Sequence, residues 1–242
     1  MIRLTWTKLI VVILGILLSV PGFRAGGLAE VRPEEDMSVR LEMAESGESK
    51  IEYAQVSGLA DEEIQAMLNA YLKWFSVDNY LDEDVDRAWD TVEGRTAFAI
   101  VGGRYLSVYT EYLFSGKEMA YPWGDVQARV FDLTIGEPDT QLSDYLTTGP
   151  ELNAAIADGT FTIFKPDVTE EQGIDFLARF AQDYGVNYEP DYYNTDFYLT
   201  EDGLGLFVHD RIHAEGDYWM AEAAYDKLGG LMTPMLEELL KP

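Results

Sequence analysis

The chain has 242 residues, 47% of them hydrophobic and 13% aromatic, and its 44 Asp and Glu against 17 Lys and Arg leave a formal charge of −27. That apolar content marks a globular chain and excludes a disordered one, while the shortage of basic residues excludes nucleic acid as the natural partner, because phosphate binding draws its affinity from them. With no cysteine, disulfides, a thiol nucleophile, a lipidated N-terminal cysteine and every zinc site built on Cys are excluded as well.

Arg3 and Lys8 precede an apolar run over residues 9–20, which Pro21 and Gly22 end before small residues at Ala25, Gly26, Gly27 and Ala29. This is the order of a secretory signal: positive flank, apolar stretch, small-residue cleavage zone. As a helix the run reaches ~18 Å at 1.5 Å per residue, well short of the ~30 Å hydrocarbon core of a bilayer. The expectation is a signal peptide over residues 1–29, cleaved after Ala29 or, as second choice, after Gly27, with an uncleaved anchor as the alternative. The protein is then exported across the cytoplasmic membrane, secreted or associated with the cell envelope, and touches the membrane only if the segment stays uncleaved. Cleavage removes Arg3, Lys8 and Arg24 and leaves 14 basic against 44 acidic residues, a formal −30.

Residues 30–50 form an acidic leader expected to contribute at most one edge strand. A helix follows, with Asp61 as its N-cap and Ile64, Met67, Leu68, Tyr71, Leu72 and Phe75 at helical spacing. Period two then takes over: residues 96–101 and 104–114 flank Gly102-Gly103, a pair suited to a tight hairpin. Residues 126–135 read as a further strand. Pro150 and Gly159 frame a short helix, and Thr169 with Gln172 opens another that runs to Gly185. Residues 197–200 and 204–208 flank Glu201-Asp202-Gly203 as a hairpin, residues 218–225 make one more strand, and Thr233-Pro234 cap a last helix. Hairpins alternating with isolated helices, without a regular βαβ repeat, predict an α+β fold: an antiparallel sheet built from hairpins with several packed helices. The organisation expected is signal peptide 1–29, leader 30–50, an N-terminal subdomain 51–110 and a C-terminal α+β subdomain 111–242.

A series of short motifs lies in order along the chain. They are Tyr53-Ala54-Gln55-Val56-Ser57-Gly58-Leu59 before the first helix, Asn69 within it, Leu106-Ser107-Val108, Ala120-Tyr121-Pro122, Phe131-Asp132-Leu133 with Gly136, and Leu142-Ser143-Asp144. Phe197-Tyr198-Leu199-Thr200-Glu201-Asp202-Gly203-Leu204, Ala214-Glu215-Gly216 and Tyr225-Asp226-Lys227-Leu228 complete the set. Their order resembles a bacterial extracytoplasmic domain family of largely unknown function, found in lysozyme-responsive anti-sigma factors and beside the catalytic domain of peptidoglycan N-acetylmuramic acid deacetylases. The match runs from about Ile51 to Leu231. It departs from the family at Met119-Ala120-Tyr121-Pro122, where members commonly have Gly-Ala-His-Pro, and at Ile212-His213-Ala214, which replaces Pro-Tyr-Ala. No role of that family histidine carries over. The resemblance implies the sensory or binding module alone, without the deacetylase catalytic domain or a cytoplasmic sigma-binding segment.

Candidate chemistry is sparse. The only histidines, His209 and His213, spell His-Asp-Arg-Ile-His, with Gly216 beyond, and look like a degenerate zinc-protease motif. That motif needs a helix to bring residues four apart onto one face; here the acid is the shorter Asp210, and Trp219 stands where a third ligand would fall. The local pattern favours a strand end, where residues four apart lie ~13 Å from each other. Asp78, Asp82, Asp86 and Asp90, with Glu83 and Asp84, could line one helix face, but no Asp-rich loop with a glycine bend is present to fold oxygens around calcium. Asp191, Asn194, Asp196, Glu201 and Asp202 lie among tyrosines and read the same way. Tyr184, Tyr188, Tyr192, Tyr193, Phe197 and Tyr198 crowd one stretch. Phe197 and Tyr198 read as sheet core, while Tyr188, Tyr192 and Tyr193 suit core and interface equally.

The reading that follows is a non-enzymatic, exported module without cofactor or metal, binding a basic envelope protein or cell-wall hydrolase such as lysozyme through Tyr121, Trp123, Tyr188, Tyr192 and Tyr193. Acid patterned among rings steers a basic partner while the rings supply area. The alternative is a metal-dependent hydrolase using His209 and His213.

Overall fold

The computed structural model describes residues 37–81, 89–117, 119, 122–139, 141–164, 197–209 and 218–241. Its fold is α+β. The larger sheet takes six strands in chain order, β1 (Ser38–Ser46), β2 (Ser49–Ser57), β3 (Thr91–Val101), β4 (Tyr105–Ser115), β5 (Trp123–Asp132) and β6 (Pro138–Asp139). The smaller sheet has the order β7-β10-β9-β8, from β7 (Thr162–Phe164), β8 (Phe197–Leu199), β9 (Gly203–His209) and β10 (Tyr218–Ala224). Every pairing among these strands is antiparallel except that of β2 with β3, which is parallel and limited to Lys50↔Glu93 and Ile51↔Gly94. The reason is the intervening helix: a crossover returns the chain to the same end of the sheet, so the next strand runs in the same direction.

That helix, α1 (Glu62–Lys73), starts as the sequence predicts, with the Asp61 carboxylate accepting from the N–H groups of Glu63 and Ile64. Leu68 and Leu72 are wholly buried against Ala54, Val56, Leu106, Val108 and Phe131. Met67, expected on the same stripe, is exposed. Past Lys73 the helix widens into a π-helical segment, Trp74–Asp78, which turns Trp74 out to solvent while Phe75, Ser76 and Val77 go inward.

The hairpin at Gly102-Gly103 forms as predicted, both glycines taking positive φ (57° and 66°), a conformation that costs a residue with a Cβ. Period two divides β4 between two layers. Leu106, Val108, Tyr112 and Phe114 face α1 and the π segment, whereas Tyr105 and Tyr109 face the smaller sheet. There Tyr109, Val126 and Ala128 meet Tyr198, Phe207 and Met220, and the Ser107 hydroxyl accepts from the Leu199 N–H at 2.8 Å. Residues 110 and 111, between which the sequence reading divides its subdomains, are neighbours within β4.

Strand β5 starts earlier and ends earlier than residues 126–135. The Asp132 side chain accepts from the N–H and hydroxyl of Thr134, and Gly136 N–H donates to Asp132 O, so the chain turns at Asp132. Arg104 closes this turn with a contact of 2.5 Å to the same carboxylate. Burial opposes ionisation there, but Arg104 and Thr134 outweigh it and hold Asp132 below its ordinary range. The helices α2 (Pro150–Ala157) and α3 (Pro234–Leu239) appear where proline and threonine announced them. The Thr233 hydroxyl accepts from Leu236 N–H at 3.4 Å. Leu152 and Leu236 are buried in the core of the smaller sheet. The helix expected over 169–185 lies outside the described residues.

Candidate binding site at the Trp123 end of the sheet

Strand β5 opens on Trp123, directly opposite Phe114 of β4. In that register the two rings stack, with centroids 4.9 Å apart and planes at 26°. Phe114 is completely buried and is also flanked by Trp89 at 4.6 Å, Tyr80 at 5.5 Å and Tyr112 at 6.0 Å. The result is a block of aromatic rings with Trp123, 39% exposed, at its solvent end. A ring fixed on such a base is pre-organised, since little rotamer freedom is left to lose when a partner covers it.

The block is tied down by polar contacts. Asp90 N–H donates to Ser115 O at 2.9 Å, and the Asp90 carboxylate accepts from Lys117 N–H at 2.7 Å. Tyr112 donates its hydroxyl to Ser76 O at 3.0 Å, linking the block to the π segment. Burial pushes the Tyr112 phenol well above its ordinary pKa, so it stays neutral. The Trp89 indole N–H is buried without a hydrogen-bond partner among the described residues, a costly state for a donor.

A second constellation lies between the sheets. Tyr198, wholly buried, donates its hydroxyl to Glu222 of β10. Burial raises the Glu222 pKa above the usual carboxylate range, and the Tyr198 hydrogen bond only partly offsets this. Added carbon at Gly205 would fall 2.1 Å from Tyr198 Cζ, so the ring lies flat over a glycine that leaves it room. Phe197 and Tyr198 are thus sheet core, as their sequence favoured.

Of the predicted binding residues, Trp123 is the one placed; Tyr121, Tyr188, Tyr192 and Tyr193 lie outside the described residues. His209 ends β9, with its backbone opposite Tyr218, and His213 and Asp210 lie outside the description. Asp78 closes the π segment and Asp90 precedes β3, both exposed, while Asp82, Glu83, Asp84 and Asp86 are not described. Among the described residues no three metal-ligating side chains converge. Sequence reasoning missed Trp89, Phe114, Tyr80 and Tyr112 as the base for Trp123, and it missed Glu222 altogether. Phe114 and Trp123 become neighbours only through the β4–β5 register, which no local motif announces.

No family model matches the chain, and no curated protein matches it. Several solved structures bear a likeness to it, two of them from one family. One is a member of the DUF3298 family from Bacteroides fragilis, 13% identical over 84% of this chain and 97% of that one, with a TM-score of 0.49. The other is a DUF3298 family protein from Pseudomonas aeruginosa, 13% identical over 83% of this chain and 93% of that one, with a TM-score of 0.48.

Proposed function

We propose that the protein is a non-enzymatic binding module, exported to the cell envelope, that holds a basic protein such as a cell-wall hydrolase through the Trp123 end of its larger sheet. The observation that carries this reading is a large ring left 39% exposed and stacked on the wholly buried Phe114, in a chain of charge −27. Rigid aromatic anchors dominate the energetics of protein interfaces. The charge supplies approach: opposite fields raise association rates by factors of ~10 to 10³, and salt screens them within ~8 Å at physiological strength. Tyr121, next but one to Trp123 in the chain, and the Tyr188, Tyr192 and Tyr193 group complete the proposed contact set.

Calorimetric titration with lysozyme as the basic probe tests the reading. Binding should persist at about 0.15 M salt and weaken at least ~30-fold in Trp123→Ala, the loss expected of a hot-spot ring. Binding that disappears at that salt, or that ignores the substitution, reduces the interaction to charge attraction and the proposal fails.

A further inference from the structure

Strand β1 is the free edge of the larger sheet: it pairs with β2 through nine consecutive residues, and no other described strand lies on its far side. The turn beyond it fixes which of its backbone groups are free. Gly47 and Glu48 alone separate Ser46 from its partner Ser49, with Gly47 at φ 60°. That closing pair exchanges both hydrogen bonds, because no residue pair inside a two-residue turn could carry them instead. Counting back by twos, Ala44, Glu42, Arg40 and Ser38 also aim their N–H and C=O groups at β2. Glu45, Met43, Leu41 and Val39 therefore aim theirs outward, and a regular edge of this kind is a template for another strand.

The side chains along that edge are self-complementary. Arg40 and Glu42 share one face, 2.5 Å apart, with the Arg40 side chain 72% exposed. Val39, Leu41 and Met43 share the other, where Leu41 and Met43 are 43% and 50% exposed. A second β1, antiparallel about a two-fold axis at Leu41, sets Leu41 against Leu41 and Val39 against Met43, all residues with outward backbone groups. Arg40 of each copy then falls opposite Glu42 of the other, so the two in-strand ion pairs close into a ring of four alternating charges while the apolar side chains cover one another. The registers on either side match the backbone equally well but fail on charge. Centred on Arg40 the seam sets Arg40 against Arg40, and centred on Glu42 it sets Glu42 against Glu42.

We propose that two copies of the chain associate through their β1 edges, two-fold about Leu41, and join their six-stranded sheets into one. The net charge of −27 opposes the encounter and weakens it at low salt. The seam itself is balanced, since Arg40 and Glu42 offset each other and Glu45 lies 3.3 Å from Lys50. This goes beyond the Trp123 reading and uses a different surface, because three strands stand between β1 and β5.

Sedimentation equilibrium of the exported chain at about 0.15 M salt, where charge is screened within ~8 Å, should show a monomer–dimer equilibrium between ~1 μM and ~1 mM. Arg40→Glu and Glu42→Arg should each weaken it at least ~10-fold, since each turns two attractive cross-strand pairs into repulsive ones. An equimolar mixture of the two variants should recover a heterodimer, because every facing pair is then of opposite charge, and that recovery separates loss of the seam from misfolding. The chain has no cysteine, so Leu41→Cys reports the axis. Facing Cα atoms in such a pair lie ~5.5 Å apart, within disulfide range, and mild oxidation should link two copies. Glu45→Cys would lie ~26 Å from its counterpart and should stay unlinked. Trp123→Ala should leave the dimer unchanged. A monomer throughout that concentration range, a dimer indifferent to Arg40→Glu, charge variants that stay apart when mixed, or Glu45→Cys linking as readily as Leu41→Cys overturns the inference. If lysozyme binding still depends on Trp123 in that event, the proposed function stands and only the β1 seam falls.

Discussion

Replacing Asn69 tests how the second half of β2 is held. Pairing of β2 with β3 stops at Ile51, yet Val56, five residues on, is nearly buried. The Asn69 side chain takes the place of a neighbouring strand there: its Nδ2 donates to Val56 O at 2.8 Å and its Oδ1 accepts from Val56 N–H at 2.7 Å. Asn69→Ala removes both bonds and strands two peptide groups. At ~1 kcal/mol net per bond, rising toward ~1–3 kcal/mol for each buried group left unpaired, the loss is ~2–4 kcal/mol. For a domain of this size ~1 kcal/mol moves Tm by ~2–4 °C, so the variant should melt roughly 5–15 °C lower by calorimetry. Asn69→Asp makes the argument sharper. Its carboxylate keeps the acceptor for Val56 N–H but sets a negative oxygen against Val56 O, whereas the protonated acid can donate to that carbonyl. The folded-state pKa of Asp at position 69 is therefore raised above ~3.9. A raised carboxylate contributes its stability below the unfolded value and loses it as pH rises through the folded value. Relative to Asn69→Ala, then, Asn69→Asp should gain stability on acidification. A Tm for Asn69→Ala within ~1 °C of the parent, or an Asp variant that tracks the Ala variant at every pH, refutes the strand-substitute account.

Glu222→Gln should stabilise the fold at pH 8, because burial raises the Glu222 pKa and ionising it there is unfavourable, while glutamine still accepts the Tyr198 hydroxyl. The advantage over the parent should shrink as pH falls toward the ordinary carboxylate value, and urea midpoints across that range check it. Gly205→Ala places its Cβ 2.1 Å from the wholly buried Tyr198 ring and should cost ~3 kcal/mol by overpacking; an unchanged urea midpoint contradicts the packing. Mass spectrometry of the exported protein should find it starting at Glu30 or Leu28, and an intact Met1 would count against cleavage.

Much of the fold can be read locally because its punctuation is chemical. Asp61, Gly102-Gly103, Pro150 and Thr233-Pro234 each perform at their own position the task their side chains suggest, so the elements they bound lie where expected. Strand β2 escaped that reading. Its buried residues do not alternate: Ile51 and Tyr53 turn toward one core, Ala54 and Val56 toward another, so the period-two signal breaks at Tyr53-Ala54. The early end of β5 escaped for a related reason, since apolar Leu133 and Ile135 extend the pattern past Asp132, whose side chain has already bound the turn.

The proposed contact residues were legible only as residue types. Trp123 stood out as an aromatic near the motif that carries the resemblance, but what distinguishes it from a solvent-facing ring is Phe114 beneath it, nine residues away and brought opposite by register. Trp74 is the converse case. Helical periodicity treats it as one polar-face position following Lys73, and nothing local announces the π turn that begins there. The π segment displaces it, and the hydroxyls of Thr110 and Tyr112 mark the cause: Thr110 donates to Ser76 Oγ at 3.3 Å and Tyr112 to Ser76 O at 3.0 Å, drawing Ser76 into the sheet and engaging a carbonyl there. Removing that hold should let the helix relax. Tyr112→Phe, which keeps the ring against Tyr80 at 4.2 Å but deletes the donor, is expected to cost ~1–2 kcal/mol and to blue-shift Trp74 fluorescence if the helix rewinds and the ring turns inward. A Trp74 spectrum identical to the parent's, recorded with the remaining tryptophans replaced by phenylalanine in both proteins, would show that the π turn stands without the tyrosine and that its cause lies elsewhere in the packing.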